Sequence, residues 1–302
     1  MFKGHRMQVI LPFFVLLGLS LGPSAAVRAQ SKEDSGKGLI WYESVIGSSS
    51  SLGTVTRFDS TLGYNFNHYF AVDFGVPVLF VHASSSTTTT NLRSANGIGD
   101  AYTDLRFTLR NPVVNFVSTI RGTAPTGSTA NGFSSGRATA DWNNHFDRAF
   151  GHVTPFTNLG VANTVPDSAY FVRPFTTLGL TGHFDGGASV RILPLLNFRT
   201  SAYAIEPWGQ QKVFSRLLNR QTSPAGGTPG SSHAGGVFQT SPETTGSAGI
   251  ARDHGFSLGF ESSPFHVIDL AIGYTRSVSF SLNTVYFGVG LNLARVLVSP
   301  SH

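Results

Sequence analysis

Residues 69–81 read Tyr-Phe-Ala-Val-Asp-Phe-Gly-Val-Pro-Val-Leu-Phe-Val. Phe70, Val72, Phe74, Val76, Val78 and Phe80 fall on one face, while Ala71, Asp73, Gly75 and Pro77 fall on the other. A two-residue period is the mark of a β-strand, in which successive side chains point to opposite faces. Here one face is bulky and apolar, and the other is small or charged. That is the pattern of a wall with hydrocarbon outside and a polar interior.

The period recurs along the chain. In 284–294, Val285, Phe287, Val289, Leu291 and Leu293 alternate with Tyr286, Gly288, Gly290 and Asn292. In 54–66, Phe58, Leu62, Tyr64 and Phe66 oppose Arg57, Asp59 and Asn65. In 99–110, Leu105, Phe107 and Leu109 oppose Asp100, Tyr102, Asp104 and Arg106. Twelve strands are expected, at 39–47, 54–66, 69–81, 99–110, 113–123, 139–150, 153–163, 171–191, 196–206, 254–262, 266–277 and 284–294.

The connections alternate in length. Short turns are expected near Asn67-His68, Asn111-Pro112, Gly151-His152, Pro194-Leu195 and Ser263-Pro264. Between them lie the polar links 83–98, 124–138 and 207–253, the last rich in Gly, Ser, Thr and Pro. A structureless link that long is foreign to a compact soluble domain. Short periplasmic turns opposite long extracellular loops are the habit of transmembrane barrels. An even strand count puts both ends of the barrel chain on the periplasmic side. Tyr64, Phe66, Tyr69 and Phe70 would form an aromatic girdle at one interface, and Phe80, Trp142 and Trp208 at the other.

Composition agrees. Charged residues are 12% of the chain, about half the roughly 25% usual in soluble proteins. A wall facing lipid needs no charged cover, and closed strands satisfy every backbone group there. The absence of cysteine excludes disulfides, thiolate catalysis and Cys-ligated zinc. Residues 1–29 read as a secretory signal peptide: Lys3, His5 and Arg6 precede an apolar core, and Val27-Arg28-Ala29 fits the cleavage rule. Cleavage would remove Lys3, Arg6 and Arg28 and no acid, taking the formal charge from +5 to +2. The basic balance therefore carries no nucleic-acid inference. The mature barrel domain would be 30–302.

Candidate binding residues are the charges expected in the lumen: Arg57, Asp59, Asp73, Asp100, Asp104, Arg106, Arg121, Arg191 and Arg199, with Asp141 and Asp147 beside them. They read either as a field acting on passing solutes or as ion pairs that fill a narrow interior. His145 with Asp147 and His183 with Asp185 each share a strand face, but neither pair has an expected third partner for catalysis. The scattered histidines lack metal-ligand spacing. No cofactor, metal or catalytic residue is expected.

Gly97-Ile98-Gly99-Asp100, opening a strand after a polar loop, and Thr123-Ala-Pro-Thr-Gly127, closing the next, resemble a family of outer-membrane transporters associated with the meta-pathway of phenol degradation, FadL-like or porin-like in form. The resemblance implies a barrel passing small, often hydrophobic or aromatic compounds. Its partners would be membrane lipid, small-molecule solutes, periplasmic chaperones and the barrel-assembly machinery. The chain departs from barrel habit at its end, where residues 294–302 follow Leu293 in place of a closing aromatic. The expectation is thus an all-β transmembrane antiparallel barrel acting as an outer-membrane channel. The alternatives are a structural or adhesive barrel without transport, and a barrel hydrolase.

Overall fold

The computed structural model describes residues 37–84, 94–217, 241–265 and 267–294. The expected signal peptide lies outside them. In chain order the strands are β1 (Gly38–Ser50), β2 (Gly53–Asn65), β3 (Phe70–Ala83), β4 (Ala95–Ile98), β5 (Ala101–Arg110), β6 (Asn115–Ala124), β7 (Thr139–Asp147), β8 (Val153–Ala162), β9 (Phe175–Leu178), β10 (Thr181–Leu193), β11 (Leu196–Pro207), β12 (Gln211–Ser215), β13 (Glu243–Gly246), β14 (Asp253–Phe265), β15 (Ile268–Ser277) and β16 (Leu282–Asn292).

Strands β1 to β8, β10, β11 and β14 to β16 form one antiparallel sheet whose ends meet. β1 pairs with both β2 and β16, and β2 pairs onward with β3. β4 and β5 pair with successive parts of β3 and share one place in the wall, so the closed barrel has twelve strands. Closure leaves no wall strand with an unpaired edge, which is what hydrocarbon demands of a sheet. Among the described residues no helix is long and apolar enough to cross a membrane.

The alternation sorts side chains as the sequence implies. Leu62, Phe74, Ile120, Ile272 and Val285 stand outward and exposed, whereas Asp59, Asp73, Asp104, Arg199 and Glu261 are buried inside. A largely apolar exterior of this extent would be a liability in water and is the normal surface in lipid. Tyr64, Phe66, Tyr69 and Phe70 ring the short-turn end, and Phe80, Trp142 and Trp208 are exposed toward the long-loop end.

Three expectations need correction. The strand expected over 171–191 begins at Thr181. The stretch before it does not join the wall: 169–172 is buried inside the barrel, and β9 pairs with β12 instead. The turn expected at Ser263-Pro264 comes later, since β14 runs to Phe265 with a bulge between Ser262 and Phe265. A bulge lets a strand absorb a proline near its end. The link 207–253 is in part folded: β12 pairs with β13 and β9 in a small three-stranded sheet beyond the long-loop end of the barrel.

Candidate functional site: a lumen cavity beside an inserted segment

Residues 164–175 leave β8 and enter the barrel. Ala169, Tyr170, Phe171 and Val172 are consecutively buried, the signature of a chain surrounded on all sides. Tyr170 lies flat against the inner wall where Gly259 and Gly273 face it. A Cβ at either position would come within 2.7 Å or 2.6 Å of the ring, so only glycine admits this approach.

Polar contacts fix the insertion. Arg173 Nη1 donates to Asp253 Oδ2 at 2.6 Å, with both side chains fully buried. Ser277 and Tyr203 hydroxyls donate to the same carboxylate at 2.6 and 3.0 Å. Arg173 also donates through Nε to the Pro166 carbonyl and through Nη2 to Ser168 Oγ. The Val172 amide donates to Ser48 Oγ at 2.7 Å, and Tyr170 Oη to Glu261 Oε1 at 2.7 Å. Burial, reinforced by Glu261, pushes the Tyr170 hydroxyl well above its usual range, so it stays protonated and remains the donor.

The segment fills the lumen on the β14–β16 side. On the β2–β10 side it leaves a cavity of about 300 Å³. Arg57, Asp59, Asp100, Tyr102, Arg121, Asp141, His145, Asp167, His183 and Asp185 line it, with apolar surface from Leu79, Phe133, Phe175 and Ile205.

Most of the expected lumen charges are paired inside the barrel, and of the nine only Arg57, Asp59, Asp100 and Arg121 line the cavity. Arg121 grips Asp104 with two bonds of 2.7 Å, a bidentate geometry that fixes both groups. Arg57 donates to Asp167 of the inserted segment at 2.6 Å and lies 3.9 Å from Asp59, which accepts from Tyr102 Oη. Arg106 lies 3.7 Å from Asp73. Arg199 is fully buried, with its guanidinium 3.7 Å over the Phe156 ring and 3.9 Å from Asp185. Arg191 departs from expectation. It has the inward parity of β10 but sits exposed near the short turn, two residues from the strand's end, clear of the cavity.

Of the two histidine–acid pairings, that of His145 with Asp147 is found and that of His183 is rearranged. His183 Nε2 meets Asp141, not Asp185, at 2.8 Å. His145 Nδ1 meets Asn158 Oδ1 at 2.8 Å, and its Nε2 lies 3.3 Å from Asp147; Asn158 in turn donates to Asp185 at 3.1 Å. Among the described residues no hydroxyl is bonded to either imidazole, and no His/Asp/Glu group could hold a metal. These side chains knit β7, β8 and β10 together across the lumen face.

The two motifs singled out in the sequence bind each other. The wall strand is interrupted at Gly99-Asp100, between β4 and β5. Thr126 Oγ1 donates to the Gly99 carbonyl at 2.8 Å and accepts from the Ala101 amide at 2.9 Å. The Gly127 amide donates to Asp100 Oδ1 at 3.0 Å. A Cβ on Gly127 would fall 2.8 Å from the Phe133 carbonyl and 3.0 Å from that of Ile98. The clasp thus requires glycine there, and it aims Asp100 at the cavity.

Sequence reasoning missed Asp167, Arg173, Arg216, Asp253 and Glu261. For Asp253 and Glu261 a signal existed in their shared parity with Ser257 on β14.

No protein-family model matches the chain, and no curated protein matches it. Among solved structures, the chain resembles an outer membrane channel from Pseudomonas putida F1, with a TM-score of 0.51 at 12% identity over 85% of this chain and 95% of that one. It also aligns with the NanC porin, with a TM-score of 0.46 at 8% identity over 83% of this chain and 98% of that one. The first likeness is one of fold, a closed antiparallel β-barrel of twelve strands.

Proposed function

We propose that this protein is an outer-membrane channel for small solutes, secreted by way of the segment 1–29 and passing its cargo along the cavity beside the inserted segment. The observation that carries this reading is the cavity itself: a polar, charge-lined space inside a closed barrel with an apolar exterior. The paired charges give solutes a fixed field without the penalty of bare buried ions. Phe133, Phe175, Tyr102 and Tyr203 supply aromatic surface to the same space. That surface suits the small apolar or aromatic compounds implied by the likeness of the Gly97–Asp100 and Thr123–Gly127 stretches to transporters of phenol degradation. The link 207–253 acts as an outer lid, a role supported by β12, which turns Val213 into the buried cluster around Tyr203 and Ile205.

Deleting most of 207–253 should raise or broaden solute flux into liposomes carrying the protein. Unchanged flux sinks the lid. A second reading, a structural barrel without transport, is favoured by the buried Arg173–Asp253 anchor. It requires that the liposomes admit no solute whether or not the link is present.

A further inference from the structure

Two opposite charges line the outer part of the cavity without an ionic partner among the described residues. Arg216, just after β12, donates through Nε to the Gly132 carbonyl at 3.0 Å and through Nη1 to the Arg173 carbonyl at 2.8 Å. Both acceptors are neutral backbone groups, so the cation is held in place with no close salt bridge, and Asp167 and Asp100 act on it only across the cavity. Asp100 is held in the same manner, by the Gly127 amide on Oδ1. Its neighbours Arg57 and Arg121 are committed elsewhere, to Asp167 and Asp104. Both Asp100 and Arg216 line the cavity, together with Phe133, Tyr102 and Pro77.

Within one closed lumen, two charges of opposite sign would ordinarily be drawn into a salt bridge. Here both are tied to the link between β6 and β7, Asp100 through the Gly127 amide and Arg216 through the Gly132 carbonyl, and no salt bridge joins them. Each keeps a free edge, Oδ2 on Asp100 and Nη2 on Arg216. A partly buried charge that satisfies only neutral backbone groups gains most from a ligand of opposite charge.

We infer that Asp100 and Arg216 form a binding site for a small zwitterion with an apolar body, its ammonium on Asp100, its carboxylate on Arg216 and its side chain against Phe133 and Tyr102. This names a solute class for the proposed channel and rests on that reading only in taking the lumen as accessible. The clasp between the two sequence motifs then has a purpose, since it sets the position of Asp100.

Titration calorimetry on the folded, full-length barrel in detergent tests the site without requiring conduction. The probes are L-phenylalanine, 3-phenylpropanoate, which lacks the ammonium, and 2-phenylethylamine, which lacks the carboxylate. Phenylalanine should bind at least about tenfold more tightly than either, the worth of one charge-assisted contact. Asp100→Asn keeps the acceptor for Gly127 and removes only the charge. It should cost phenylalanine about tenfold and leave 3-phenylpropanoate unchanged. Arg216→Gln should do the converse, with Arg216→Lys restoring part of the loss. Equal binding of the three probes, no binding of any, or indifference to Asp100→Asn overturns the site. If such a protein still conducts in a bilayer, the channel reading survives the site's failure. Selective phenylalanine binding by a protein that never conducts would remove the channel reading and keep the site.

Discussion

Replacing Arg173 by methionine should release the inserted segment while leaving the barrel intact. Arg173 and Asp253 lie 2.6 Å apart with both side chains at 0% exposure. Removing the guanidinium leaves the Asp253 carboxylate buried with only the Ser277 and Tyr203 hydroxyls. Breaking a buried pair by removing one partner costs about 3–5 kcal/mol. The wall ladders are untouched, so that cost falls on the docking of 164–175. At about 4 kcal/mol the docked-to-released ratio falls roughly a thousandfold. The readouts are single-channel conductance, expected to rise, and protease cleavage within 164–175, expected to appear. The double change Arg173→Met with Asp253→Asn removes the stranded charge and should recover much of the docking. If the single variant keeps wild-type conductance and protease resistance, the segment is not held by this pair and the reasoning fails.

Other consequences are more local. Ile272, outward on β15 and 57% exposed, should tolerate lysine poorly: Ile272→Lys should lower folding stability in lipid by about 2–4 kcal/mol if it lies near the midplane, read by urea titration of vesicle-inserted protein. Asp104→Asn leaves Arg121 without its bidentate partner, so the reversal potential in a salt gradient should shift toward anion permeability. Thr126→Val breaks two of the three hydrogen bonds of the clasp and should lower the thermal midpoint by an amount corresponding to about 1–3 kcal/mol, checked by heat modifiability on gels.

The wall was legible because burial on one side and lipid on the other impose period two on every strand, from β3 to β16. Strand count and most lumen charges follow from that period, and loop asymmetry from the lengths of the polar links between the strands. The inserted segment was not legible by the same rule. Phe171 and Val172 look like strand residues in composition and fall within the strand expected over 171–191, while Ala169 and Tyr170 just before it belong to the same buried run. Their lack of alternation and the flanking Pro166 and Pro174 mark a chain buried on every side. The pairing of charges was also out of reach. Parity shows that His183 and Asp185 share a face, but the register of β7 against β8 and β10 gives His183 to Asp141. Pairing across strands depends on register, which no single strand encodes.

The central claim is that solutes cross through the space between the inserted segment and the β2–β10 wall. Single-channel recording of the refolded mature protein in a planar bilayer tests it most directly. Discrete, reproducible openings that change in size with Arg173→Met and in ion preference with Asp104→Asn are the predicted result. A heat-modifiable, membrane-inserted barrel that gives no openings, with or without these substitutions, would contradict it.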